Sequence, residues 1–130
     1  MRLTRRKECL RIMLRKIMDE EKIFTQHGLN RKILSIMLNT NEKYLYDLIK
    51  EVTGMSCSEY INSLRLEHAR LMLEDANSKL TIEAIADQSG FSSRKTFYRN
   101  FNKRYCTTPA QYRDDYSTIN NNTQSKYQFK

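Results

Sequence analysis

The chain has 130 residues, with 23 Lys or Arg against 15 Asp or Glu and a formal net charge of +8. This length suits one domain with tails, and only 3 Gly and 1 Pro beside abundant Leu, Ile, Met, Lys and Glu argue for helices and against a sheet-rich or disordered chain. The charge implies an acidic partner, and no apolar run approaches the ~20 residues of a membrane span.

The three cysteines, Cys9, Cys57 and Cys106, are an odd number without C-x-x-C spacing. That pattern argues against a disulfide framework or zinc site and for a reduced, cytoplasmic setting. Residues 1–22 are expected to form a basic linker helix. Met1 to Lys16 holds seven Lys or Arg against one Glu, with Leu10, Met13, Leu14 and Ile17 along one side. Charges run throughout this leader, so it lacks the apolar centre of a signal peptide. The bland reading is a solvated linker. Sharper readings are a dimerising stripe, a surface for an anionic partner, or the joint to a separate sensor domain.

Ile23 and Phe24 are placed to anchor the leader before Gly28 interrupts it. Residues 23–56 then carry a first helix-turn-helix pattern. Asn30 can cap a helix with Ile33, Leu34, Met37 and Leu38 inward, Asn39 can take a left-handed turn position, and Asn41 can start a second helix with Leu45, Leu48 and Ile49 inward. Residues 57–78 are expected to form a connecting helix: from Cys57 to Ala76 there is no Gly or Pro. There Tyr60, Ile61, Leu64, Leu66, Ala69, Leu71, Met72 and Leu73 cover more than one face, as in a helix contacted from several sides.

Residues 79–116 repeat the pattern more strongly. Thr81 can cap a helix with Ile82, Ile85 and Ala86 on one side, Gly90 permits a left-handed turn, and Phe97 and Phe101 sit four apart on a second helix. Ser93, Arg94, Lys95, Tyr98, Arg99 and Lys103 then face outward. Residues 117–130 are polar and Asn-rich and are expected to be a disordered tail.

The two patterns are copies. Asn30, Leu34, Ser35 and Asn39 match Thr81, Ile85, Ala86 and Gly90 at an offset of 51, whereas Leu45, Ile49 and Tyr60 match Phe97, Phe101 and Tyr112 at 52. One extra turn residue therefore sits in the second copy. Each copy is followed by an S/T-x-x-E/Q helix start, Ser56 with Glu59 and Thr108 with Gln111. Pro109 takes the first helical position, where its missing N–H costs nothing. The expected fold is all-α: tandem helix-turn-helix subdomains joined by a long central helix, about seven helices.

The run GFSSRKTFYRNFNK followed by TTPAQYR, together with GMSCSEYINSLRLEHARLML, closely resembles the DNA-binding domain of AraC/XylS-type transcription regulators. The resemblance covers roughly Leu29 to Tyr112. It implies sequence-specific binding of double-stranded promoter DNA, with two recognition helices in successive major-groove segments about 34 Å apart. It further implies RNA polymerase as a partner and, in many members, a separate N-terminal sensor or dimerisation domain. Carried over position by position, the base-reading residues are Arg94, Lys95, Thr96 and Arg99 in the second half and Lys43, Tyr46 and Asp47 in the first, with Glu42 beside them. Arg and Lys suit the guanine acceptors, and the Thr96 methyl suits a thymine methyl. Asp47 departs from the basic or amide residue often found in the family; a carboxylate repels phosphate but accepts from the cytosine amino group. Candidate phosphate contacts are Arg31, Lys32, Lys103, Arg104 and Arg113, plus backbone amides at the helix starts.

No Gly-rich phosphate loop, nucleophile turn, paired carboxylates or Cys/His ligand cluster marks an enzyme or a metal site, and no cofactor is expected. The alternative to a DNA-binding regulator is a helical protein-interaction or anionic-surface-binding module. Charge distribution favours the first. Lys79 to Arg113 holds seven Lys or Arg against two acids, whereas Leu29 to Ser78 holds six against seven.

Overall fold

The computed structural model describes residues 2–128; Met1 and the last two residues of the expected tail lie outside them. Seven α-helices follow in order: α1 Arg2–Asp19, α2 Arg31–Met37, α3 Glu42–Thr53, α4 Cys57–Glu74, α5 Ile82–Gln88, α6 Arg94–Tyr105 and α7 Pro109–Gln128, with a 3-10 turn at Ile23–Thr25. No strand occurs among the described residues. The chain divides into two compact units, residues 1–65 and 66–130.

Both units obey one local grammar. The first short helix is capped by Asn30 or Thr81, whose side-chain oxygens accept from the N–H of Ile33 at 2.9 Å and of Ala84 at 3.1 Å. It ends on a left-handed residue, Asn39 at φ 54° or Gly90 at φ 106°. Around that residue two hydrogen bonds close in the same way, Thr40 to Ser35 and Asn39 to Ile36 in the first unit, Phe91 to Ala86 and Gly90 to Asp87 in the second. These are the six-to-one and five-to-two bonds of a Schellman motif, which satisfy carbonyls that a helix end leaves unpaired. The second helix is capped by Asn41 or Ser93, which accept from Tyr44 and Thr96. It ends on a left-handed Gly54 or Cys106.

Two separate cores result. Leu34, Leu38, Leu45, Leu48, Ile49, Cys57 and Ile61 fill the first, and burial pushes the Cys57 thiol above its ordinary value. Leu66, Ala69, Leu73, Ile85, Ala86, Phe91, Phe97 and Phe101 fill the second. Helix α4 supplies both cores. In the first unit the buried Arg65 on α4 donates from Nε to the Phe24 carbonyl at 2.7 Å and from Nη2 to the Gln26 carbonyl at 2.9 Å, fixing the turn that follows α1. In the second, Arg70 pairs with Glu67 and Glu74 along α4, and Tyr112 on α7 donates to Glu74. Arg70 holds the Glu67 carboxyl below its ordinary range and is itself held firmly protonated by these hydrogen bonds.

Four expectations differ from the structure. The leader is not a solvated linker: Leu10, Leu14 and Met18 of α1 are buried in the first core, so those residues are unavailable to a dimerising stripe, while Met13 is 45% exposed. The buried stripe runs through Leu10, Leu14 and Met18 at four-residue spacing, with Ile17 packed beside it, and leaves Met13 at its edge. On α2, Ile33 and Met37 are each 42% exposed, because a seven-residue helix already fills its narrow contact with Leu34, Ser35 and Leu38. Leu71 on α4 is likewise exposed, at 54%. Finally, the tail expected to be disordered from residue 117 continues α7 to Gln128. Thr108 accepts from the N–H of Gln111 at 3.1 Å and Pro109 is fully buried, so the helix is nucleated at its start, and extension costs less than nucleation.

Two stability measurements check this account. Cys106 holds a left-handed conformation at φ 57° where the first unit has Gly54, so Cys106→Gly should stabilise the chain by about 0.5–1 kcal/mol in urea denaturation. Arg70→Met should destabilise it by about 1–3 kcal/mol, since it strips charge-assisted hydrogen bonds from Glu67 and Glu74. Because the folded Glu67 carboxyl is depressed, its contribution is complete above the ordinary carboxylate range and is lost as pH falls below about 4. The gap between wild type and Arg70→Met should therefore narrow on acidification.

Candidate nucleic-acid interface

Helices α3 and α6 present the polar surface that the sequence pattern predicts. In α6, Phe97 and Phe101 are completely buried, and helical periodicity puts Lys95, Arg99 and Asn102 on the opposite side. All three are exposed. In α3, Leu45 and Ile49 are completely buried, and Lys43, Asp47 and Lys50 are the exposed counterparts.

Aromatic packing sets the pose of α6. Phe91, the third residue past the end of α5, is buried, with its ring centroid 5.1 Å from Phe97. Phe97 continues to Phe101 at 5.7 Å, and Phe101 to Tyr105 at 4.7 Å and to Tyr112 at 5.7 Å. Ala86 on α5 is small, so a second helix can cross it closely. In the first unit Ser35 takes this position, and its hydroxyl donates to the Lys32 carbonyl at 2.7 Å instead of remaining an unpaired buried donor.

The predicted base-facing residues separate into two groups. Lys43, Asp47, Lys95 and Arg99 lie open on the outward faces. Arg94 and Tyr46 lie on flanks turned towards the shorter helix of their unit. The Arg94 guanidinium pairs with Glu83 of α5 at 3.2 Å and stands over the Tyr98 ring at 5.1 Å. Arg31 of α2 pairs with Glu42 of α3 at 3.3 Å and stands over the Tyr46 ring at 5.7 Å. Thr96 is half-buried at the rim of α6, and its carbonyl accepts from the Asn100 amide at 2.8 Å.

The expected phosphate contacts divide similarly. Lys32 and Lys103 are exposed. Arg104 is exposed with its guanidinium over the Tyr105 ring at 5.6 Å. Arg113 is half-buried and donates from Nη1 to the Leu80 carbonyl at 2.8 Å, which ties α7 to the segment entering α5. Its sequence position gave no sign of the carbonyl 33 residues away. Glu83 has no place in the site expected from the sequence, and Tyr98 has one only on the outward face and not among the base-reading residues. Tyr98 was legible in principle, since it matches Tyr46 at the offset of 52.

The sequence matches a family model described as a helix-turn-helix domain over residues 34–115. An uncharacterized HTH-type transcriptional regulator of Staphylococcus aureus is 34% identical over 109 residues, which are 84% of this chain and 14% of that protein. Among curated relatives such as this one and the Msm operon regulatory protein of Streptococcus mutans, the chain spans only 14% to 34% of the relative's length. The C-terminal domain of the two-component response regulator yesN from Fusobacterium nucleatum superposes with a TM-score of 0.66 at 30% identity, covering 82% of this chain and 96% of that one. A Chromobacterium violaceum transcriptional regulator with an AraC-type DNA-binding domain gives 0.61 at 26% identity, covering 68% and 77%.

Proposed function

The chain belongs to the helix-turn-helix family of AraC-type DNA-binding domains, and on that premise we propose that it binds double-stranded promoter DNA sequence-specifically and regulates transcription. Helices α3 and α6 act as its recognition helices in successive major-groove segments of one duplex. The observation that carries the reading is the outward face of α6: Lys95 and Arg99 are open to solvent directly opposite the buried Phe97 and Phe101, with Arg94 at the helix start. A rigid aromatic base holding cations on the other side is what a groove lined with base acceptors and phosphates requires.

Arg94, Lys95 and Arg99 read guanine O6 and N7, and Thr96 reaches a thymine methyl from the rim. In the first half Lys43, Tyr46 and Asp47 face the bases, and Asp47 accepts from a cytosine amino group. Lys32, Lys103 and Arg104 contact phosphates, joined by Arg31 where its pairing with Glu42 permits. The second half supplies most of the affinity, because its charge is strongly positive while the first half is nearly neutral.

The chain works in the bacterial cytoplasm as the DNA-binding part of a longer regulator, with RNA polymerase and a separate sensor or dimerisation region as further partners. The relatives' greater length supports that arrangement. No helix among the described residues is long and apolar enough to cross a membrane.

Fluorescence anisotropy with labelled duplexes tests the proposal. Affinity should fall steeply with added salt, and Arg94→Ala or Lys95→Ala should lower discrimination between duplexes by about 1–3 kcal/mol for each lost bidentate contact. Arg99→Glu should weaken binding more than Asp47→Ala, and the reverse ranking would place the anchor in the first half. If Arg94 and Lys95 prove irrelevant while neutralising Arg5, Arg6, Arg11 and Arg15 abolishes binding, the chain is a basic interaction module instead. Point substitutions suit this last test better than deleting α1, whose Leu10 and Leu14 belong to the core.

A further inference from the structure

In each unit an ion pair joins the first residue of the second helix to the preceding helix, with the charges exchanged between the units. Glu42 and Arg94 are both the first residue of the second helix, and Tyr46 and Tyr98 are both one turn further on. In the first unit the anion sits on α3 and the cation, Arg31, on the preceding helix, at 3.3 Å. In the second the cation sits on α6 and the anion, Glu83, on the preceding helix, at 3.2 Å. In both, the guanidinium lies over the equivalent tyrosine ring. The link between the two helices thus recurs with its polarity inverted and its partner one position further along the preceding helix, Arg31 being the first residue of α2 and Glu83 the second of α5.

Pairs this open add little to stability: the side chains are 66% and 53% exposed for Arg94 and Glu83, and 47% and 46% for Arg31 and Glu42. Their effect is on what the recognition helix offers to a ligand. Arg94 Nη2 faces both the Glu83 carboxylate and, at 3.5 Å, the Tyr98 hydroxyl, so the guanidinium is folded back along its own helix. A phosphate must compete with a carboxylate already in place. Glu83 also repels phosphates that approach the start of α6.

Resting on the reading of α6 as a recognition helix, we infer that Glu83 is a specificity-determining residue, which restrains Arg94 from indiscriminate phosphate contact and releases it to a neutral base edge. Specificity is a difference between two affinities, and Glu83 enlarges it by lowering the non-specific one. A guanine presents O6 and N7 together to the guanidinium fork and is neutral, so the Glu83 carboxylate does not repel it, whereas a phosphate, whose two free oxygens can also take the fork, meets that repulsion. In the first unit Arg31 restrains Glu42 in the same way, so that half offers a carboxylate to amino donors.

The test compares wild type, Glu83→Gln, Arg94→Ala and the double variant. Each is titrated with a duplex that the wild-type chain selects from a random pool and with a scrambled duplex of equal length, over a series of NaCl concentrations. Glu83→Gln should tighten binding to the scrambled duplex about threefold to tenfold and steepen its salt slope by about 0.9, the value for one added phosphate contact. Binding to the selected duplex should change less than about twofold, so the ratio falls. With Ala at position 94, Glu83→Gln should leave the ratio unchanged. Equal tightening of both duplexes in both backgrounds would reduce Glu83 to net charge and overturn the inference. Weaker binding to the selected duplex alone would also overturn it, making Glu83 a support for Arg94 and not a restraint. Absence of binding by the wild-type chain to any duplex would instead remove the DNA-binding reading itself.

Discussion

Each unit depends on the left-handed residue between its two short helices. At Asn39 and Gly90 the backbone enters a region that costs most side chains about 1–2 kcal/mol. Glycine enters it freely, and asparagine enters it more readily than most residues. That single conformation lets the next two N–H groups return to the helix end, so the chain leaves in a new direction without stranding buried carbonyls. Everything the second helix presents outward follows from this turn, because the direction of the helix decides which of its sides is covered. Between turn and helix the second unit has one residue more than the first, and the grammar resumes at Ser93 as it does at Asn41.

The units then diverge in what fills them. The first core is aliphatic, built around Leu34, Leu45, Leu48 and Ile49, and it takes α1 as an additional wall. The second is aromatic, running from Phe91 through Phe97 and Phe101 to Tyr105 and Tyr112, and α7 closes it through Tyr112 and Arg113. Rings packed in tilted and edge-on pairs allow few alternative arrangements, which suits a helix whose outward side chains have to meet a groove in register. Surface chemistry diverges too. With Arg94, Lys95 and Arg99 on one helix and Glu42, Lys43 and Asp47 on the other, equivalent positions offer donors in one unit and mainly acceptors in the other. A tandem pair of this kind suits a target whose two halves differ.

Much of this was written in local sequence. The caps Asn30, Asn41 and Thr81, the left-handed Asn39 and Gly90, the buried pairs Leu45 and Ile49 or Phe97 and Phe101, and the repeat at offsets of 51 and 52 all depend on neighbours within about one helical turn or on copied spacing, whereas Ser93, expected to face outward, proved to be a cap. Such interactions are readable because period and capping chemistry act along the chain itself. The all-α class and the exposure of Lys95 and Arg99 followed from them.

Tertiary structure alone decided which amphipathic sides found a partner. Helix α1 looked like a free linker because its charges dominate its composition, yet Leu10, Leu14 and Met18 meet a core built by residues 24–61. Ile33 and Met37 looked buried by period, and the narrow contact of a short helix left them outside. Arg113 gave no sign in the sequence of its bond to the Leu80 carbonyl, nor Arg94 of Glu83 at 3.2 Å. The reason is common to all four. Periodicity states which side of an element is apolar or charged, whereas the group that meets that side lies 11 to 41 residues away in pairs such as Arg94 with Glu83 or Arg65 with Phe24, and only the folded chain brings them together.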